Sequence, residues 1–168
     1  MDFNDFIKFI PQLSISTLGG LEAQFKLAPK IRKPYTEGDL ETNTPKKAAV
    51  LALFYPNELG ETSFLLTLRA TYGGTHSSQI SFPGGKFDQI DTTLINTALR
   101  ETFEEVGVQI ANYSVFKQMT NVYIPPSNFL VTPFLAYLNN KPTFVKNHEV
   151  EALIEVSLTD FLNKSSIS

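Results

Sequence analysis

Three carboxylates set along one side of a single helix constrain this chain more than any other feature. Residues 100–108 read Arg-Glu-Thr-Phe-Glu-Glu-Val-Gly-Val. Glu101, Glu104 and Glu105 are spaced i, i+3, i+4, so a helix places them on one face. Like charges at that spacing repel by roughly a few tenths of a kcal/mol per pair. Such a face makes physical sense where a divalent cation neutralises it, because hard cations such as Mg²⁺ take oxygen ligands and share them with substrate phosphates. Thr92 or Thr93 supplies an N-cap, and Gly107 is placed to end the helix. Leu94, Ile95, Ala98, Leu99, Thr102, Phe103 and Val106 form the expected buried stripe. Leu99 and Phe103 are expected to face a sheet, opposite the acidic side. Upstream, Phe82-Pro83-Gly84-Gly85 reads as a tight glycine turn. A glycine turn followed by a carboxylate helix has the make-up of a phosphate-plus-metal site.

The helix needs a sheet to pack on, and the rest of the chain provides candidate strands. Residues 48–55 are a continuous apolar run ended by Pro56-Asn57, and residues 61–68 resume as a strand, which predicts a hairpin. Residues 79–82 are short and strand-like, and 86–91 read as polar loop. Residues 113–124 and 129–138 are strand-like, split by Pro125-Pro126-Ser127-Asn128. Residues 150–156 predict another strand and 158–162 one helical turn. At the N-terminus Phe3, Phe6, Ile7 and Ile10 predict an amphipathic helix over residues 2–10, stopped by Pro11. Residues 11–47, with Gly19-Gly20, Pro29, Pro34 and Pro45, read mainly as extended loop. The expected division is an N-terminal extension, 1–47, packed on one domain, 48–168. The fold class is α/β, a mixed sheet flanked by helices.

Composition narrows the function. A length of 168 residues with 42% hydrophobic content is enough for one domain with a proper core. A net charge of −3 argues against a general nucleic-acid binder but not against a nucleotide-sized substrate. With no Cys, disulfides, thiolate metal sites and cysteine nucleophiles are excluded. The first residues lack a basic segment and a long apolar run, and no stretch approaches ~18 apolar residues. Neither a signal peptide nor a membrane partner is expected, and a cytoplasmic location is. Monomer and homodimer are both compatible with the sequence.

The pattern Arg-Glu-x-x-Glu-Glu-x-Gly over residues 100–107 resembles the signature box of the Nudix hydrolases. Thr102 stands in that box's first apolar slot and Val108 in its last. The general box also has a glycine and a glutamate at fixed distances before the arginine, where this chain has Lys86 and Thr92. Gly85 and Asp91 each lie one residue earlier. That offset resembles the coenzyme A pyrophosphatase branch, which carries Phe-Pro-Gly-Gly and a box one residue longer with an aspartate. Leu65-Leu66-Thr67-Leu68-Arg69-Ala70 is similar to the same branch's upstream signature, although Gly74 and Ser78 stand where it has arginine and glycine.

The resemblance implies a Nudix α/β/α sandwich with an N-terminal helical extension, stopping short of the usual C-terminal strand and helix. It implies hydrolysis of a pyrophosphate bond with Mg²⁺ or Mn²⁺ as cofactor and a small-molecule nucleotide as partner. The implied metal ligands are Glu101, Glu104, Glu105 and the backbone carbonyl of Gly85. The general base is a box glutamate, Glu101 or Glu105, or one from a later loop, for which Glu149 is the best-placed residue. Arg100, expected to point away from Glu101, pairs with Glu104 at i+4. Arg69, His76 and Lys86 are candidates for substrate phosphates, and Tyr123, Pro125, Pro126 and Phe129 for walls of a base or pantetheine pocket.

The first-choice substrate is coenzyme A or an acyl derivative, giving adenosine 3′,5′-bisphosphate and 4′-phosphopantetheine or its acyl form. Another nucleoside diphosphate derivative (ADP-ribose, NADH or a dinucleoside polyphosphate) is the runner-up. A nucleotide-binding module without catalysis is the reading from a different class.

Overall fold

The computed structural model describes residues 1–27, 35–70, 79–111 and 114–163. Their strands form one mixed sheet built around β1 (Lys46–Pro56). β2 (Thr62–Arg69) follows β1 through the predicted hairpin, with Phe54 opposite Phe64 and Pro56 opposite Thr62. Asn57 fixes the turn, because its Oδ1 accepts the Leu59 and Glu61 N–H groups, both at 2.9 Å. β3 (Ile80–Ser81) and β8 (Val150–Ser157) both pair antiparallel with β2. On its other side β1 pairs in parallel with β7 (Phe129–Tyr137), and β7 carries β5 (Val115–Gln118) and β6 (Val122–Ile124).

α4 (Leu94–Val106) is the carboxylate helix, and its ends follow from local chemistry. Thr93 accepts the Asn96 N–H at 3.2 Å as N-cap. Gly107, at φ 73°, ends the helix with its N–H on the Phe103 carbonyl. The buried face is Thr97, Ala98, Thr102 and Val106, seated on Ala49, Leu51, Leu53 and Tyr55 of β1 and Phe134 and Ala136 of β7. Thr102, the polar residue in an apolar slot, stays satisfied by donating its Oγ1 hydrogen to the Ala98 carbonyl at 2.7 Å. Leu99 packs half-buried against the core, but Phe103 is 53% exposed. The expectation that Phe103 faces the sheet is therefore wrong. Glu101 and Glu105 lie next to the buried stripe on the helical wheel, not opposite it. Laying them against the glycine segment turns Phe103 outward.

That segment also differs from its reading. Gly84 and Gly85 are not a turn but begin β4 (Gly84–Lys86), antiparallel to the first half of β1 with Gly85 opposite Ala49. The glycines are needed for close approach. A Cβ on Gly84, whose φ is 155°, would lie 2.3 Å from the Ala49 carbonyl oxygen. A Cβ on Gly85 would lie 2.4 Å from the Glu101 carboxyl carbon.

The opposite face of the sheet is covered by α1 (Phe3–Ile15), α2 (Gly20–Leu27) and α5 (Leu158–Leu162). α1 is the predicted N-terminal helix, capped by Asp2 and seated through Phe3 and Phe6, with Phe6 against Phe54. It continues through Pro11 for another turn, where Ser14 Oγ donates to the Pro11 carbonyl at 2.7 Å. Residues 11–47, read as extended loop, also hold α2 and α3 (Glu37–Asn43). α3 starts on a capping box in which Thr36 and Asp39 exchange side-chain and backbone bonds.

Candidate active site

The acidic side of α4 meets β4 at a pocket of about 520 Å³. Glu101, Glu104, Glu105, Gly85, Lys86, Arg69 and Glu149 all line it, so most of the residues singled out in the sequence converge there. Two do not. Arg100 sits behind the carboxylates, and His76 lies outside the described residues. The floor is apolar, from Ala48 and Val50 on β1 and Phe129 and Val131 on β7, with Ile124 beside them. Of the proposed aromatic and proline walls, Phe129 lines the pocket. Tyr123 is buried elsewhere, its N–H donating to Tyr35 and its hydroxyl to Asn128, and neither Pro125 nor Pro126 reaches the site.

Arg100 organises the carboxylates through a residue that was not placed in the site. Its Nε donates to Asp91 Oδ1 at 2.7 Å and its Nη2 to Oδ2 at 3.0 Å. Asp91 is 3% exposed and also accepts the Thr97 hydroxyl and the Asp88 N–H. These donors hold its carboxyl down at about 2, with the Arg100 hydrogen bond the largest cause. With one edge of the guanidinium fixed, Nη1 reaches Glu101 Oε1 at 2.8 Å and Glu104 Oε2 at 3.1 Å. The Glu104 pairing is as expected, but Arg100 does not point away from Glu101. The sequence signal for Asp91 was the aspartate one residue outside the general box.

Glu105 lies apart from that network. Gly84 N–H donates to its Oε2 at 3.2 Å, and burial, the largest influence, pushes its carboxyl up to about 7. Burial also raises Glu101, against the opposing pull of Arg100. Asn147 and Val145 donate backbone N–H groups to the Glu105 and Val106 carbonyls at 3.0 and 2.9 Å, closing the end of α4. Asn147 Oδ1 in turn accepts the Glu149 N–H at 2.9 Å, which fastens the Glu149 loop to the helix. Asn147 gave no sequence signal, because its bonds need the tertiary contact. The β2–β8 pairing brings in Arg69 from the other side, where Ala70 N–H donates to the Glu149 carbonyl and Arg69 Nη2 lies 4.0 Å from Glu149 Oε2.

The donor set has the chemistry of a hard-cation site, since it offers carboxylate oxygens and the edge of a glycine strand. A buried carboxylate raised to about 7, on which Arg69 exerts only a weaker opposing pull than burial, is where an added dication has most to stabilise. Among the described residues no three acidic or histidine side chains are already gathered into a metal-holding cluster. Arg100 accounts for this, because it draws the Glu101 and Glu104 carboxylates to itself.

Comparison with known proteins places the chain. Residues 45–167 match the model of the NUDIX domain. The chain belongs to the Nudix family. Nudix hydrolase 3 of Caenorhabditis elegans is 32% identical over 113 residues, covering 65% of this chain and 47% of that protein. The Nudix hydrolase NudL of Yersinia pestis is 36% identical over 123 residues, covering 73% and 60% respectively. The chain thus spans roughly half of the length of the curated relatives it matches. The NUDIX domain of Shewanella oneidensis NrtR, solved with ADP ribose, superposes with a TM-score of 0.57 at 18% identity, over 76% of this chain and 87% of that one. That likeness confirms the Nudix α/β/α fold with its mixed sheet and N-terminal helix.

Proposed function

We propose that this Nudix domain is a divalent-metal-dependent pyrophosphohydrolase acting on a nucleoside diphosphate derivative, with coenzyme A or its acyl esters as first-choice substrate. The observation that carries the hydrolase reading is the convergence of Glu101, Glu104, Glu105 and Glu149 with Arg69 and Lys86 around one pocket. Nudix hydrolases are its relatives at 32% and 36% identity. Bound there, Mg²⁺ or Mn²⁺ would neutralise phosphoryl charge and lower the pKa of a coordinated water. Glu101, Glu104 and Glu105 would hold it, with the Gly85 carbonyl as a further donor. Arg100, anchored by Asp91, sets where Glu101 and Glu104 stand. Arg69 and Lys86 face the substrate's phosphates. Glu149, tied to the helix end through Asn147, is the candidate proton acceptor from the later loop, and Glu105 is the alternative within the box.

The choice of coenzyme A rests on residues 65–70, on Phe82-Pro83-Gly84-Gly85 and on the aspartate of the longer box. The Asp91–Arg100 pair gives that aspartate a physical task. A non-catalytic binding module is disfavoured, because a module that only binds has no need of the three clustered acids Glu101, Glu104 and Glu105. The test is a substrate panel with Mg²⁺ and with Mn²⁺, products identified by mass: coenzyme A, 3′-dephospho-coenzyme A, ADP-ribose, NADH and a dinucleoside polyphosphate. Coenzyme A is expected to have the highest kcat/KM, and Arg69→Ala to reduce its preference over the 3′-dephospho compound by about tenfold or more. If ADP-ribose or NADH is cleaved at least as efficiently, the coenzyme A reading fails and the broader pyrophosphohydrolase reading remains.

A further inference from the structure

The connection from β7 to β8, residues 138–149, has no regular structure, yet its second half is fastened to the body of the domain. Long connections without structure of their own are uncommon in compact domains and usually carry function when they are held in place. Phe144 packs against Tyr55 with ring centroids 5.3 Å apart. The Val145 and Asn147 N–H groups then donate to the Val106 and Glu105 carbonyls at 2.9 and 3.0 Å. These carbonyls belong to the last turn of α4, where the helix itself has no donors left for them. The main chain makes these bonds, and any residue other than proline at 147 could supply its share.

The side chain at 147 has a separate task. Asn147 Oδ1 accepts the Glu149 N–H at 2.9 Å, a local turn of the kind that Asn closes on the residue two ahead of it. From the other side the Ala70 N–H donates to the Glu149 carbonyl at 2.8 Å. Glu149 is thus held at both of its backbone polar groups, once from the end of β2 and once by Asn147. Its carboxylate stays half-exposed and lines the acidic pocket. Its charge adds to the upward push on both Glu101 and Glu105. The Arg69 guanidinium is 4.0 Å away and itself largely exposed, a contact too loose to fix a side chain. The backbone therefore decides where this carboxylate stands. Asn147 joins that backbone to the carbonyl of Glu105, so one residue ties the later loop to the helix that carries the acidic cluster.

We propose that Asn147 is a positioning residue for the hydrolysis, whose side-chain oxygen sets Glu149 at the reach of the attacking water. The proposal rests on the reading above that this is a pyrophosphohydrolase with Glu149 as proton acceptor, and adds the residue that makes Glu149 effective. In that step the water oxygen bonds to one phosphorus while the bridging P–O bond breaks. The electron pair leaves with the departing phosphate, and one water proton passes to Glu149. A proton acceptor works only within hydrogen-bond reach of its water, so a small displacement of the Glu149 backbone reduces the rate without weakening substrate binding.

The test is a double-mutant cycle of Asn147→Ala with Glu149→Gln, with Asn147→Asp as the conservative variant. Steady-state kinetics use the best-cleaved substrate of the panel above with Mg²⁺. Mn²⁺ binding without substrate is followed by paramagnetic resonance, and amide exchange at Glu149 by NMR. Asn147→Ala should reduce kcat by about ten- to a hundredfold with KM and Mn²⁺ affinity within about twofold of wild type. Exchange at the Glu149 amide should quicken, because its acceptor is gone. In the Glu149→Gln background the same substitution should change kcat by less than about twofold, since the group it acts through is absent. Asn147→Asp keeps an oxygen for the Glu149 N–H and should return kcat to within about threefold of wild type. An equal fold loss in both backgrounds, a parallel loss of Mn²⁺ affinity, or unchanged exchange at Glu149 overturns the proposal. So does an Asp variant as slow as the Ala variant. The readings fail separately. A slow Glu149→Gln with wild-type kcat in Asn147→Ala removes the positioning role alone. Wild-type kcat in Glu149→Gln removes Glu149 as acceptor and the positioning role with it, and no cleavage of any substrate in the panel removes the hydrolase reading itself.

Discussion

Glu105 concentrates the tension in the site. Its carboxyl stands at about 7 in the fold against an ordinary 4.5, chiefly because it is buried. Between those values the folded protein holds more protons than the unfolded one, so metal-free stability falls as pH rises from about 4.5 to about 7. Glu105→Gln removes that dependence. It should raise metal-free stability at about pH 8 by about 1–3 kcal/mol while reducing hydrolysis by orders of magnitude. Melts of both proteins across this pH window check the sign, and a less stable variant at pH 8 contradicts it. Gly84 and Gly85 separate in a similar way. Alanine at 85 meets the end of the Glu101 side chain first, so it should cost under about 1 kcal/mol yet displace a carboxylate and abolish most activity. Alanine at 84 meets the backbone of β1, so it should cost several-fold more stability. The sequence made both glycines conspicuous, but it suggested a turn. A requirement for close approach arises only once β4 lies between β1 and α4.

At the scale of the element, α4 was legible in its limits and not in its rotation. Thr93 and Gly107 are local signals and end the helix where they stand. Which side faces the sheet is decided by what the acidic residues must touch, and that partner, β4, reads as loop in the sequence. Phe103→Ala should therefore cost under about 1 kcal/mol, whereas Val106→Ala, at a fully buried position, should cost about 2–3 kcal/mol. Denaturant unfolding of the pair reports the helix orientation, and a reversed ranking would mean the helix is turned. The short helical turn Gln89–Asp91 ahead of α4 matters for the same reason. Asp91→Ala leaves Arg100 half-buried with its strongest partner gone, which should cost about 3–5 kcal/mol and reduce activity through the freed Glu101 and Glu104. Denaturation and steady-state rates measured together check it. Wild-type stability would show that the buried pair contributes nothing.

Over the whole molecule, the apolar run at 48–55, the hairpin after it and the strands at 129–138 and 150–156 were readable, because each is a continuous or alternating apolar segment. Their arrangement was not. The parallel pairing of β1 with β7 and the pairing of β2 with β8 join segments about eighty to ninety residues apart, and no local pattern records them. Those two pairings build the candidate site. The first makes its floor, and the second delivers Glu149 and Arg69 to the carboxylates of α4. α2 and α3 escaped for the opposite reason, since they are too short for a clear apolar period. The central claim is that Glu101, Glu104 and Glu105 serve a metal-dependent attack of water on a pyrophosphate. The most direct measurement is the mass of the products formed from coenzyme A in ¹⁸O-water with Mg²⁺, for the wild-type protein, for the wild type in excess chelator and for Glu105→Gln. We predict one ¹⁸O atom in a phosphate product of the wild-type reaction with Mg²⁺ and almost no product in the other two. Labelled product at the wild-type rate in chelator or in Glu105→Gln would contradict the account.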